Sequence, residues 1–138
     1  MRRLSRIVQC SLFILLAAWS ASSCTERFED RCRREAREYT EKQCPRRLDD
    51  FVTIDSMTYV EQPQGFAYCY SLNDEESATD SIPQEIIDQF VEQMRQRVRN
   101  DLTMKSYKEK GFTFTYRYFS HATGAVLFEA SFGPKDYR

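Results

Sequence analysis

An α+β fold, a two-layer sandwich in which a helix-strand-strand unit occurs twice, is predicted for this chain of 138 residues by three observations. Two segments carry apolar residues at helical spacing and four carry them in alternation. The segments follow one another as helix, strand, strand, then helix, strand, strand. The strand segments share an aromatic face whose natural partners are the apolar stripes of the two helices. One four-stranded antiparallel sheet with both helices on its aromatic face is therefore expected.

The first helix is expected over residues 25–43, where Phe28, Cys32, Ala36 and Tyr39 fall on one face. Opposite charges four apart, such as Glu29/Arg33, Arg34/Glu38 and Glu38/Lys42, occupy the rest and contribute about 0.2–0.5 kcal/mol per pair. Pro45 stops the helix because it disfavours helical backbone at Cys44. The first strand, 50–61, is rich in β-branched and aromatic residues. Val52 and Ile54 take one parity there and Met57 and Tyr59 the other, which predicts a bulge near Asp55-Ser56. Residues 62–65 form a turn. The second strand, 66–72, sets Phe66, Tyr68, Tyr70 and Leu72 against Ala67, Cys69 and Ser71.

Residues 73–80 are polar and acidic, as a loop should be. Ser81 is expected to open the second helix, with Gln84 completing a capping box and Pro83 in the first turn. Its stripe of Ile86, Ile87, Phe90, Val91, Met94, Val98 and Leu102 is the strongest periodic signal in the chain. A break near Asn100-Asp101 and a short turn carrying Tyr107 lead to Gly111. The third strand, 112–119, sets Phe112, Phe114, Tyr116 and Tyr118 against Thr113, Thr115 and Arg117. A hairpin loop at 120–124 joins it to the fourth strand, 125–132, in which Val126, Phe128, Ala130 and Phe132 align. Gly65-Phe66-Ala67-Tyr68-Cys69-Tyr70 and Gly111-Phe112-Thr113-Phe114-Thr115-Tyr116 share one pattern, which marks the units as a repeat.

The N-terminus is an address of a different kind. Arg2, Arg3 and Arg6 precede an apolar run over 7–18, followed by Ser20-Ala21-Ser22-Ser23 and then Cys24. A basic region, an apolar run shorter than the roughly 20 residues of a membrane span, and small residues make a secretory signal. The small residues before Cys24 resemble the lipobox of bacterial lipoproteins, although Ala21 stands where that pattern has Leu. The resemblance covers residues 1–24 and implies acylation at Cys24, with residues 1–23 a cleaved signal peptide and 24–138 a single domain. Ordinary cleavage near 21–23 is the alternative. The remaining 115 residues suffice for one core. They carry 17 basic and 21 acidic side chains, an acidic balance that repels phosphate backbones and argues against a nucleic-acid partner.

Lipidation leaves Cys32, Cys44 and Cys69 in an oxidising compartment. Cys32 and Cys44 sit about 18 Å apart if one helix carries both, so any bridge involves Cys69, and Cys44 to Cys69 is the expected pair. Lys110-Gly111-Phe112-Thr113-Phe114-Thr115-Tyr116-Arg117 resembles the aromatic strand motif of RNA-recognition domains. Arg117 replaces the motif's last aromatic, and element order and charge are wrong for that class. His121 has no Cys or acid at metal-ligand spacing, and Asp74, Glu75, Glu76 and Asp80 lack the pattern of a calcium loop. No cofactor, metal or catalytic set is expected.

These observations predict a small non-catalytic envelope lipoprotein, held to the membrane by its N-terminal lipid and meeting an envelope protein partner. Its contact surface is expected on the polar sheet face at Thr113, Thr115 and Arg117. The alternative is a ligand-binding or inhibitory periplasmic module in which Tyr68, Tyr70 and Tyr116, with Tyr59 and Tyr118, ring a pocket between helices and sheet for an apolar or glycan ligand.

Overall fold

The computed structural model describes residues 26–73 and 82–138. Cys24, the leader, the acidic run 74–80 and the Ser81 cap lie outside them. Helix α1 (Phe28–Gln43) is followed by strands β1 (Arg46–Arg47), β2 (Val52–Glu61) and β3 (Gln64–Leu72). Helices α2 (Gln84–Asn100) and α3 (Lys105–Glu109) lead to β4 (Thr113–Ser120), β5 (Val126–Phe132) and the terminal turn α4 (Pro134–Tyr137).

The fold is α+β, but the expected four-stranded antiparallel sheet with two helices is corrected to a five-stranded mixed sheet, in the order β1-β2-β3-β4-β5, with four helices among the described residues. β3 and β4 run parallel, pairing from Gly65 with Thr113 to Leu72 with Ser120. The reason lies in the connection. A hairpin reverses a strand, whereas a helical crossover returns the chain to the end from which it left, so α2 and α3 deliver β4 alongside β3 in the same direction. The β2/β3 and β4/β5 hairpins are antiparallel. Arg46 and Arg47 add a short edge strand beside Ile54 and Thr53, too brief to announce itself by alternation.

The bulge falls at Asp55. The β2/β3 register shifts between Ile54 and Ser56, so Ile54 stands opposite Tyr70 and Met57 opposite Tyr68. One extra residue thus puts Val52, Ile54, Met57 and Tyr59 on a single face despite their opposite parities. The Gly-Phe repeat is displaced in space. Phe66 pairs with Phe114, not Phe112, because Gly111 (φ +76°) is consumed in ending α3. There the Phe112 N–H donates to the Tyr107 carbonyl, 3.2 Å, as in helix ends closed by a left-handed glycine.

The core lies between the helices and the aromatic face. Cys32 and Ala36 of α1 and Met94 and Val98 of α2 are buried with Phe66, Phe112, Phe114 and Phe132. α1 is fastened to β2 by Thr40, whose hydroxyl donates to the Met57 carbonyl (2.8 Å) and accepts from the Met57 N–H (2.9 Å). α2 is held at the far side by Phe90 against Tyr118 and Phe128, and by Arg95 against Asp136 of α4. The two helices therefore cover opposite flanks of the sheet.

Candidate functional site

Between those flanks lies the aromatic row of the central strands. Parallel pairing without stagger sets Tyr68 opposite Tyr116 and Tyr70 opposite Tyr118, and the antiparallel β4/β5 pair sets Phe128 opposite Tyr118. The rings stack into a ladder: Tyr68 on Tyr116 (centroids 5.2 Å, interplanar 16°), Tyr70 on Tyr118 (4.9 Å, 13°) and Tyr118 on Phe128 (4.6 Å, 11°). Tyr70, Tyr116 and Tyr118 each stand between stacked neighbours, so these rings meet any visitor with an edge and a hydroxyl.

Above this row is a cleft of about 320 Å³, within the range of small-molecule sites. Its floor includes Tyr70, Tyr116 and Tyr118, its α2 wall Phe90, Met94 and Arg97, and its rim Leu48 and Asp49. Among the described residues, the hydroxyls of Tyr68, Tyr70, Tyr116 and Tyr118 have no hydrogen-bond partner, and no buried side-chain nitrogen or oxygen is left unsatisfied. The hydroxyls are therefore reached by solvent, although Tyr116 and Tyr118 are only 8% and 6% exposed. Burial pushes the phenols of Tyr68, Tyr70 and Tyr116 well above the ordinary tyrosine value, and that of Tyr118 up to about 12. At neutral pH they remain protonated and act as hydrogen-bond donors.

The charged groups around the cleft are not equally free. One oxygen of Asp49 accepts the backbone N–H groups of Phe51 and Val52, each at 2.8 Å. One oxygen of Asp101 accepts from the Thr103 N–H (2.7 Å) and hydroxyl (2.6 Å), and those bonds hold its carboxyl below the usual value. The Lys108 ammonium closes the end of α2 by donating to the carbonyls of Val98, Arg99 and Asp101 at 2.7–3.0 Å. Arg97 has no ion pair or side-chain hydrogen bond among the described residues, and its charge acts on the Tyr118 phenol. Arg97 and Asp101 fall on the line of Phe90 and Met94 at spacings of four, three and four, so two charges on an apolar stripe were the available sequence signal for this site.

The other sequence-derived positions are placed differently. Thr113, Thr115 and Arg117 lie on the opposite sheet face, where Thr115 and Arg117 pair with neighbouring side chains. Thr115 pairs with Ser131 (2.9 Å), Arg117 with Glu129, and Ser71 with Asp55 (3.2 Å). Tyr68 belongs to the ladder but not to the cleft lining, and Tyr59 packs on Phe66 and Phe112. Cys32, Cys44 and Cys69 are free thiols, so the expected Cys44 to Cys69 bridge is not made. Cys69 alternates onto the polar face, between Ser56 and Arg117, whereas Cys44 lies close enough to Tyr70 to influence its phenol. The sheet stands between the two thiols. Burial raises the thiol values of Cys32 and Cys44, which disfavours their thiolates. His121 is exposed in the hairpin loop, and no metal-holding cluster of His, Cys, Asp or Glu occurs among the described residues.

A family model described as "Domain of unknown function (DUF8479)" matches residues 27–128, from the start of α1 into β5. No curated protein matches the chain. A crystal structure described as that of a "putative secreted protein" from Pseudomonas aeruginosa superposes with a TM-score of 0.59 at 11% identity, over 82% of this chain and 99% of the other. At that identity the likeness is one of fold.

Proposed function

Because the chain belongs to the DUF8479 family of domains of unknown function, we propose its role from the geometry of the cleft: an exported, non-catalytic module that binds a small ligand over the tyrosine row. Export is supported by the basic and apolar leader ending at Cys24, and by the secreted description of the structural neighbour. Lipid anchoring at Cys24 places the module on the envelope, next to whatever envelope protein it serves. No helix among the described residues is long and apolar enough to cross a membrane.

The observation that carries the reading is a floor of tyrosine hydroxyls without protein partners among the described residues, facing a half-open cleft. Polar groups in a native interior are normally hydrogen-bonded, so a row of donors left to solvent inside a cleft is a place for a ligand's acceptors. Phenols held protonated donate hydrogen bonds and do not abstract protons, which suits them to a ligand's acceptors and not to a general-base role. Ligand binding is favoured over contact through the polar sheet face because Thr115 and Arg117 there are already paired with Ser131 and Glu129. Covered ring faces argue against stacking on a glycan and favour recognition through the hydroxyls.

The test uses a neutral solvatochromic dye, Nile red. The expected result is saturable binding at one dye per chain, weakened at least about tenfold by Leu48→Trp at the half-exposed rim and unchanged by Thr115→Lys on the far face. Melting curves matching the parent would show both variants folded. Absence of saturable binding, or equal binding by Leu48→Trp, would refute the cleft as the working site.

A further inference from the structure

We infer that the cleft's ligand is a single-chain amphiphile with an anionic head, its head at Arg97 and the tyrosine hydroxyls and its chain in an adjoining apolar chamber at the start of α2. The inference rests on the cleft being the binding site and names the ligand class.

The head end follows from which charges are free. Asp49 and Asp101 keep their charges at the cleft, each with one oxygen held by backbone or hydroxyl donors, and Lys108 is spent on three carbonyls. What remains toward the cleft is a set of donors: the unpaired guanidinium of Arg97 and the hydroxyls of Tyr70, Tyr116 and Tyr118. A planar fork of N–H donors beside phenolic O–H groups matches the oxygens of a carboxylate or phosphate. A neutral head would leave that fork without a charge-assisted partner.

The chain end follows from the second space. A chamber of about 190 Å³ is walled by Ile82, Ile86, Ile87, Leu72 and Phe128, and its accessible lining is wholly apolar. It adjoins the cleft, since Val52, Phe90 and Tyr118 line both. Ile86, on its outer wall, is 54% exposed, an unusual position for an isoleucine on the main apolar stripe of α2. Donors at one end and bare hydrocarbon at the other describe an amphiphile.

Calorimetric titration of the mature chain with dodecanoate, dodecyl phosphate and dodecan-1-ol, each below its aggregation concentration, tests this. Either anion should bind one per chain and at least about tenfold more tightly than the alcohol. Whichever anion binds more tightly distinguishes a fatty-acid source from a phosphate-headed lipid. Arg97→Gln should bring the anions down to the level of the alcohol and leave the alcohol unchanged. From octanoate to dodecanoate, affinity should rise roughly fourfold per methylene, and Ile86→Glu should flatten that rise. Both positions are exposed, so both variants should melt as the parent does. Equal binding of alcohol and anions, or indifference to Arg97→Gln or Ile86→Glu, overturns the inference and leaves the cleft intact as a binding site. Failure of Nile red and all three amphiphiles to bind overturns both readings together.

Discussion

Tyr68, Tyr70, Tyr116 and Tyr118 lend the molecule a dependence on alkaline pH whose sign follows from their burial. Their phenols titrate above the unfolded value of about 10, Tyr118 at about 12. The folded chain therefore keeps protons that the unfolded chain releases. This stabilisation is complete below about pH 10 and is lost as pH rises toward 12 and beyond. The urea midpoint should fall steadily above pH 10, with the phenolate absorbance of these four tyrosines appearing only as unfolding proceeds. Full ionisation of these phenols near pH 10 in a still-folded chain would contradict their placement. Gly65 makes a different demand. A Cβ there would lie 1.8 Å from the carbonyl oxygen of Thr113, so its absence lets β3 and β4 approach. Gly65→Ala should cost about 3 kcal/mol, the upper end of typical overpacking, measured by chemical denaturation. The same substitution at Gly124, with open space around it, meets only the strain of its positive φ (+72°). The thiols test burial directly. Cys32 is fully buried and should react with a maleimide only after denaturation, while the half-buried Cys44 and Cys69 should react in the native state.

Individual elements show which parts of the pattern speak for themselves. α1 ends at Gln43 as Pro45 requires, and Cys32 and Ala36 on its apolar line are buried. The stripe of α2 is more instructive. Its middle, Met94 and Val98, is buried, while Ile86 and Leu102 near its ends are 54% and 83% exposed. Periodicity identifies a face but not how far the partner surface extends beneath it. The bulge was legible because opposite parities within one apolar strand have no other economical solution. Its consequence is structural. Among the described residues β2 has no strand on its outer side past the bulge, since β1 pairs only with Thr53 and Ile54. Thr40 of α1 instead answers both backbone groups of Met57. Thr40→Val, which keeps shape but removes the hydroxyl, should cost about 1–3 kcal/mol by leaving these groups without a partner. Thr40→Ser should retain most of the stability, and equal loss in both variants would show that packing, not hydrogen bonding, holds α1 there.

At the scale of the whole molecule, two hairpins are joined by a helical crossover, and the cleft is a product of that joining. Parallel pairing of β3 with β4 aligns Tyr68 with Tyr116 and Tyr70 with Tyr118 without stagger, and α1 and α2 cover the flanks while leaving the middle open. The leader belongs to this scale too. Intact mass of the chain recovered from the cell envelope should correspond to a start at Cys24 with acyl groups attached, with three remaining thiols that are free. An unmodified start between Ala21 and Ser23 would replace the lipid anchor with simple secretion.

By itself, the sequence determined the local features. Helix and strand periodicities, the stop at Pro45, the bulge at Asp55 and the aromatic side of each strand follow from the steric and hydrophobic preferences of neighbouring residues. Strand direction, the β1 edge, the separation of Cys44 from Cys69 and the meeting of Arg97 with the tyrosine row were decided only by the tertiary structure. Alternation along a strand is the same read in either direction, and residues far apart in the chain come together only when the crossover chooses which ends of the two hairpins meet.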